Sequence, residues 1–350
     1  MTQIYRYPRE EGVVTPLDPL DDVVSWISGL NSMGYTSDIL REVHGFNNSR
    51  VISKCSNLIA TYANNSIGFI TQAFSGPKEV SFLPLYYSIL NLSKIYAVIS
   101  GKQDDLVNQR YHGAIYDPHG KASQDLLNEF ITLKQHGVLR LIYESITSEP
   151  WKYANRKIYL RDIYPYLQGS SYEFTHAYKE PNGLQLVRLE LEGSPEQGYV
   201  VQAQIGDSAH KNAGNLRYLR LFTEFRRPNP SESNTLSSKR VYANSEAEAL
   251  TMFSRNVRRF LIYHRCGRSR DLMSMTPINA NQMYLPQEIP IWIAFFHLSS
   301  IVRYNPEFLE KLVDSKSWPL LLSLIRHSSF RFLILFWSFF HQASYYVIIG

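Results

Sequence analysis

Residues 82–101 read FLPLYYSILNLSKIYAVISG, and this run decides the fold. Wound as a helix it is apolar on most sides, and it stops at Gly101. Pro84 falls in the first turn, where a missing N–H is tolerated. A helix without a wet face belongs at the centre of other helices, so the sequence predicts a bundle built around it. Upstream, from Asn48, the residues Val51, Ile52, Cys55, Leu58, Ile59 and Tyr62 recur at helical spacing and make one broad buried stripe that ends before Gly76-Pro77. Before it come a short amphipathic helix around Asp21 to Leu30 and another after Ser37. The first twenty residues, with Pro8, Pro16 and Pro19, read as an extended arm.

Downstream, Ser123 precedes QDLLNEFITLKQHGVLRLIYESI, read as two shorter helices or one helix kinked at Gly137. After Trp151 the character changes. KIYLRDIYPYL is short and bounded by proline, and LQLVRLEL, YVVQAQI and YLRLFTEF carry the β-branched and aromatic residues of strands. RRPNPSESNTLSSKR, from Arg226 to Arg240, reads as a mobile polar loop. Ser245 and Glu248 form a capping pair that opens a helix running to about His264, Asn305-Pro306 repeats the start signal, and two apolar helices around Pro319 to His327 and Phe330 to Ile349 close the chain. The expected fold is α+β, mainly α: two helical blocks packing together around a small antiparallel β-sheet inserted in the middle. Its parts are an arm over 1–20, an N-terminal helical block over 21–150, a β-rich middle over 151–244 with the loop 226–240, and a C-terminal block over 245–350 that completes the core.

Hydrophobic residues make up 44% and charged residues 19% of the 350 positions, the balance of a globular chain rather than a disordered one. The formal net charge of +5 favours polyanionic partners weakly, because the basic residues are spread along the chain. Cys55 and Cys266 stand far apart, without neighbours at metal-ligand spacing, so neither a metal site nor a disulfide framework is read. The first thirty residues lack the pattern of a secretory signal, which makes the cytoplasm the expected location.

Three stretches taken together resemble the YaaC-like family of bacterial proteins. The first is LPLYYSILNLSKIYAVISG with RYHG at Arg110 to Gly113 and QHGVL at Gln135 to Leu139; the second is KIYLRDIYPYL; the third is AFFHLSSIVRYNPEFLEKLV from Ala294 to Val313. They span about residues 80 to 320 in the expected order. The resemblance identifies kin; it implies no activity and no cofactor.

Two constellations could carry chemistry. His112-Gly113 and His136-Gly137 each set an imidazole beside a residue that lets backbone approach a ligand, the alternative being that each His caps a helix end while each Gly turns the chain. SRNVRRFLIYHRCGRSR contains Arg259 followed by His264 at the loose Arg-x4-6-His spacing of HEPN-type ribonucleases, in which the Arg stabilises phosphate and the His serves in acid–base cleavage. The alternative is a basic face, Arg255, Arg258, Arg259, Arg265, Arg268 and Arg270, that binds an anion or lies in water. Phosphate-loop, dinucleotide, zincin and nucleophile-elbow signatures are missing. FLILFWSFFHQASYYVIIG at the end nearly spans a bilayer by length, but Ser338, His341, Gln342 and Ser344 favour a buried helix over membrane attachment. The expected function is a non-enzymatic interaction or regulatory module, without metal or cofactor, whose partner is a protein, a second copy of itself or a nucleic acid. The competing expectation is a metal-independent, HEPN-like ribonuclease using Arg259 and His264.

Overall fold

The computed structural model describes residues 2–3, 9–14, 19–108, 111–116, 125–167, 171–180, 185–205, 235–257, 261–263, 273–275 and 285–347. The fold is α+β and mainly α. It divides into two compact units, one of residues 20–182 with 288–341, the other of 1–19, 183–287 and 342–350.

The first unit is built around the helix Phe82–Ile99, in which 15 of 18 residues are buried. The long helix Ser49–Ser75 packs along it, presenting Ile52, Cys55, Ile59, Ala63 and Ile70. Asn48 starts that long helix by accepting, at its side-chain oxygen, the N–H groups of Arg50 and Val51. On the other sides of Phe82–Ile99 lie Glu288–Tyr304, with 14 of 17 residues buried, the shorter Val138–Thr147, and the terminal helix Ser329–His341. Within this unit, helices from 49–147 and from 288–341 therefore pack together, whereas Glu246–Val257 belongs to the other unit. Tyr96 locks the terminal helix in place, its ring 4.4 Å from that of Phe339 and 5.7 Å from that of Phe336. Small polar residues in these apolar helices bond locally: the hydroxyls of Ser66 and Ser88 meet at 2.7 Å, and Ser93 donates to the Ile89 carbonyl. Two helical stretches, Lys78–Ile99 and Trp318–His341, are long and apolar enough to cross a membrane, yet 83% and 72% of their most apolar windows are buried inside the protein.

The same unit holds a three-stranded antiparallel sheet, Ala114–Ile115, Phe130–Leu133 and Lys157–Tyr159, in that order. Its middle strand corrects the helix expected ahead of Gly137. In Phe-Ile-Thr-Leu the residues Ile131 and Leu133 are buried while Phe130 and Thr132 are half-exposed, an alternation with period two. KIYLRDIYPYL supplies the edge strand and then two 3₁₀ turns, the second with Pro165 in its first turn.

In the second unit the strand Gln185–Ser194 pairs with Gly198–Ile205 across a tight turn, as LQLVRLEL and YVVQAQI predict. The sheet is larger than expected. Six strands join it, with Thr2–Gln3, Thr235–Ser237, Leu261–Tyr263 and Met273–Met275 all adding antiparallel. The helix opened by Ser245 is Glu246–Val257: Ser245 Oγ accepts from the Glu248 N–H, and Glu248 reaches back to the N–H of Asn244. It does not run on to His264, because Leu-Ile-Tyr at 261–263 are strand formers and pair with Met273–Met275. The terminal helix likewise ends at His341 rather than near Ile349. Gln342 turns the chain at φ +50°, and Ala343–Val347 forms a strand parallel to Arg9–Val14 in the N-terminal arm. YLRLFTEF, Ser123 and most of the loop after Arg226 lie outside the described residues; from that loop, Thr235–Ser237 is a strand and Ser238 is buried.

Candidate functional site

The two His-Gly pairs, 24 residues apart in sequence, meet in space. Gly113 and Gly137 take φ +103° and +129°, and a Cβ built on Gly137 would lie 2.3 Å from the Gly113 Cα and N. Only a residue without a side chain permits that crossing. The crossing also caps a helix. The N–H of Val138 donates to the Tyr111 carbonyl at 3.2 Å and that of Leu139 to the His112 carbonyl at 3.0 Å, so backbone rather than imidazole satisfies the first donors of Val138–Thr147. His136 is exposed at the turn, and its ring is not brought to that of His112.

His112 is held differently. Its Nδ1 is 2.7 Å from the Tyr86 hydroxyl, and its ring packs against Tyr86 and Phe296. Tyr86 is fully buried among Tyr87, Trp292 and Phe296. Burial pushes its phenol well above the ordinary value, opposed by Arg303 and reinforced by Tyr87, so it stays a neutral hydroxyl. Burial also pushes His112 below the ordinary imidazole value, and the charges of Arg303 and Lys94 add to the effect. The bond between the Tyr86 hydroxyl and His112 Nδ1 can run either way: with Nδ1 accepting, the ring's proton sits on Nε2, and with Nδ1–H donating, Nε2 is left as an acceptor.

Both cations are positioned by neighbours that leave their charge uncompensated. The Arg303 guanidinium donates to the Ser299 carbonyl and the Ser300 hydroxyl and lies 4.9 Å from the Tyr304 ring centroid. The Lys94 ammonium lies 5.1 Å from the ring of Tyr62, and burial lowers its pKa. Among the described residues neither meets a carboxylate within ion-pair distance. Tyr111 and Tyr304, next in sequence to His112 and Arg303, are 71% and 62% exposed. The result is a face with two cations, one neutral imidazole and two exposed aromatic rings, that of Tyr304 in contact with Arg303. The sequence carried the signal for His112 and Gly113 but none that joined them to Tyr86, Lys94 and Arg303.

One residue beyond Phe296, His297 is fully buried, its ring edge-on to Tyr116 at 4.9 Å and its Nε2 3.9 Å from Glu129, longer than a hydrogen bond. Burial lowers its pKa while Glu129 opposes the shift. Enclosed in this way, the pair has no solvent route to a substrate and reads as part of the core.

The arginine cluster is not brought into view. Arg255 lies on Glu246–Val257, and its side chain lies outside the described residues, as do Arg258, Arg259, His264, Arg265, Arg268 and Arg270 entirely. The strand Leu261–Tyr263 means that Arg259 and His264 do not share one continuous helix. Among the described residues no three His, Cys, Asp or Glu side chains gather as a metal site.

A family model described as YaaC-like Protein matches residues 30–340, nearly the whole chain, and the chain belongs to that family. No curated protein and no solved structure matches it.

Proposed function

We propose that this member of the YaaC-like family is a non-enzymatic interaction module that holds a single strand of nucleic acid on the face around His112. What carries the reading is that the charges of Arg303 and Lys94 both bear on His112, with exposed Tyr304 against Arg303 and exposed Tyr111 next in sequence to His112. Single strands are held in this way, with phosphates on cations and bases stacked on aromatic rings, without regard to sequence. The net charge of +5 would assist the encounter.

A second reading is RNA cleavage, favoured by one observation: in the tautomer whose Nδ1–H donates to Tyr86, the neutral His112 ring keeps Nε2 as an acceptor, next to two cations, suited to take the proton of a 2′-hydroxyl. Fluorescence anisotropy with a labelled single-stranded RNA tests the first reading. Arg303→Ala with Lys94→Ala should weaken binding and reduce the salt slope by about 0.7 for each lost phosphate contact. Tyr304→Ala should cost about 1–3 kcal/mol if a base stacks there. Incubation with RNA and gel analysis tests the second, with His112→Ala and His264→Ala as variants. Cleavage lost on either substitution would replace the binding module with a nuclease, and an unaltered salt slope in the double variant would remove this face from the account.

A further inference from the structure

A cavity of about 480 Å³, not lined by His112, lies where four elements of the helical unit converge: the end of Ser49–Ser75, the 3₁₀ turn Lys78–Val80, the helix Ser171–Tyr178, and Trp318–Ser323 with the turn that follows it. Its apolar lining is Phe74, Pro319, Leu322 and Ile325, of which only Ile325 is buried. Its rim is charged, with Lys78, Arg326 and His327 on one side of the balance and Glu173 on the other. The volume falls within the range of about 300–1,000 Å³ typical of small-molecule sites.

Local backbone shapes this rim. Residues Leu324–Ser328 form a π turn, in which the Ser329 N–H bonds to the Leu324 carbonyl five residues back. A π turn adds one residue to the helical circuit and is frequent at functional sites. The Ser329 hydroxyl donates to the Ile325 carbonyl. Within the turn Ile325 is buried while Arg326 and His327 point out and are exposed, so two polar side chains stand side by side next to a buried apolar one. Lys78 uses one N–H on the Phe74 carbonyl and keeps its ammonium 5.5 Å from the Phe74 ring centroid, which fixes that cation at the edge of the apolar lining. Among the described residues neither Lys78 nor Arg326 has a carboxylate within ion-pair distance.

We infer that this cavity binds a small amphiphilic anion, a phosphate or carboxylate head on a short apolar tail, taken from free solution. Lys78 and Arg326 receive the head, and Phe74, Leu322 and Ile325 cover the tail. Glu173, on the same rim, offsets part of the attraction of Lys78 and Arg326 for the head.

Titration calorimetry on the full chain with octyl phosphate, inorganic phosphate and 1-octanol separates head from tail. Octyl phosphate should bind with one site per chain and at least tenfold more tightly than either half-ligand. Lys78→Ala with Arg326→Ala, both on the surface, should bring octyl phosphate down to the level of octanol, and Glu173→Gln should tighten it. Leu322→Trp, which fills the apolar part of the cavity, should abolish binding of octyl phosphate and octanol alike. The inference is overturned if octyl phosphate binds no better than octanol, or if the double substitution leaves its affinity unchanged. Flotation with phosphatidylglycerol vesicles distinguishes the sources: capture by vesicles without binding of octyl phosphate would assign the site to a membrane headgroup and refute a free ligand.

Discussion

Replacing Gly137 by Ala tests whether the crossing of the two His-Gly turns sets up the site. Gly137 has φ +129° and ψ 173°, a region essentially closed to residues with a side chain, and entering it costs about 1–3 kcal/mol. The added Cβ would also sit 2.3 Å from the Gly113 backbone, whereas ordinary contact begins near 3.4 Å, so the two chains have to part. Parting them stretches the bonds from Leu139 N–H to the His112 carbonyl, from Val138 N–H to the Tyr111 carbonyl and from Lys134 N–H to the Gly113 carbonyl. At about 1 kcal/mol for each bond, with two of the three lost, the total is about 3–5 kcal/mol. That is a large part of a domain stability of about 5–15 kcal/mol. Urea unfolding followed by circular dichroism should show it as a lower midpoint with an unchanged slope. Gly68→Ala is the matched control: Gly68 lies inside the long helix with nothing within 4 Å of its Cβ position, so alanine there should stabilise by about 0.5–1 kcal/mol. A Gly137→Ala protein within 1 kcal/mol of the parent would refute the argument that this crossing requires glycine.

Other consequences can be checked in the same assay. Ile95→Ala, which empties a fully buried position in the central helix, should cost about 2–5 kcal/mol, and a loss below 1 kcal/mol would mean that the helix is not the centre of the unit. Asn48→Ala removes the acceptor of two N–H groups and should cost about 1 kcal/mol, with Asn48→Asp restoring most of it. His341 is lowered to about 4, first by burial and then by His44, so the unfolded chain takes up this proton near pH 6.5 while the native protein resists it. Stability is therefore intact above pH 6.5 and declines as the pH falls toward 4, by roughly 2–3 kcal/mol from this group at 1.36 kcal/mol per unit; His341→Gln should flatten that decline, and an identical pH profile in the variant would refute it.

The core was legible because its signal is local. Phe82–Ile99 is apolar on nearly every side, and that alone requires helices around it; Asn48, Ser245 and Asn305 mark helix starts through groups within three residues of the N–H they serve. The misread segments are those in which helix and strand periods compete over a few residues. Phe130–Leu133 lies between leucines on one side and a helical pattern on the other, and its alternation of period two is too short to outweigh them until Lys157–Tyr159 and Ala114–Ile115 pair with it. Ala343–Val347 continues an apolar helix in composition, and only its pairing with Arg9–Val14, more than three hundred residues away, makes it a strand.

The sites were less legible than the fold for the same reason carried further. His112 and Gly113 could be singled out because a titratable ring beside a glycine is a local pattern, but the property that matters is an electrostatic sum over residues 86, 94 and 303. Nothing in the neighbourhood of Lys94 in sequence says that its charge stays uncompensated; that follows from the aromatic ring of Tyr62 being its neighbour in place of a carboxylate. The cavity under Arg326 and His327 is further still from sequence. A π turn differs from an α turn by one residue in the hydrogen-bond count, and the sequence LIRHS reads equally well as either. The wider turn goes with its packing: Ile325 and Ser328 are buried on the two sides of an exposed pair, and the Ser329 hydroxyl donates to the Ile325 carbonyl. Charge placed beside apolar side chains thus arises in this chain from contacts between elements, and a functional reading that stops at motifs passes over both of the faces proposed to hold a ligand.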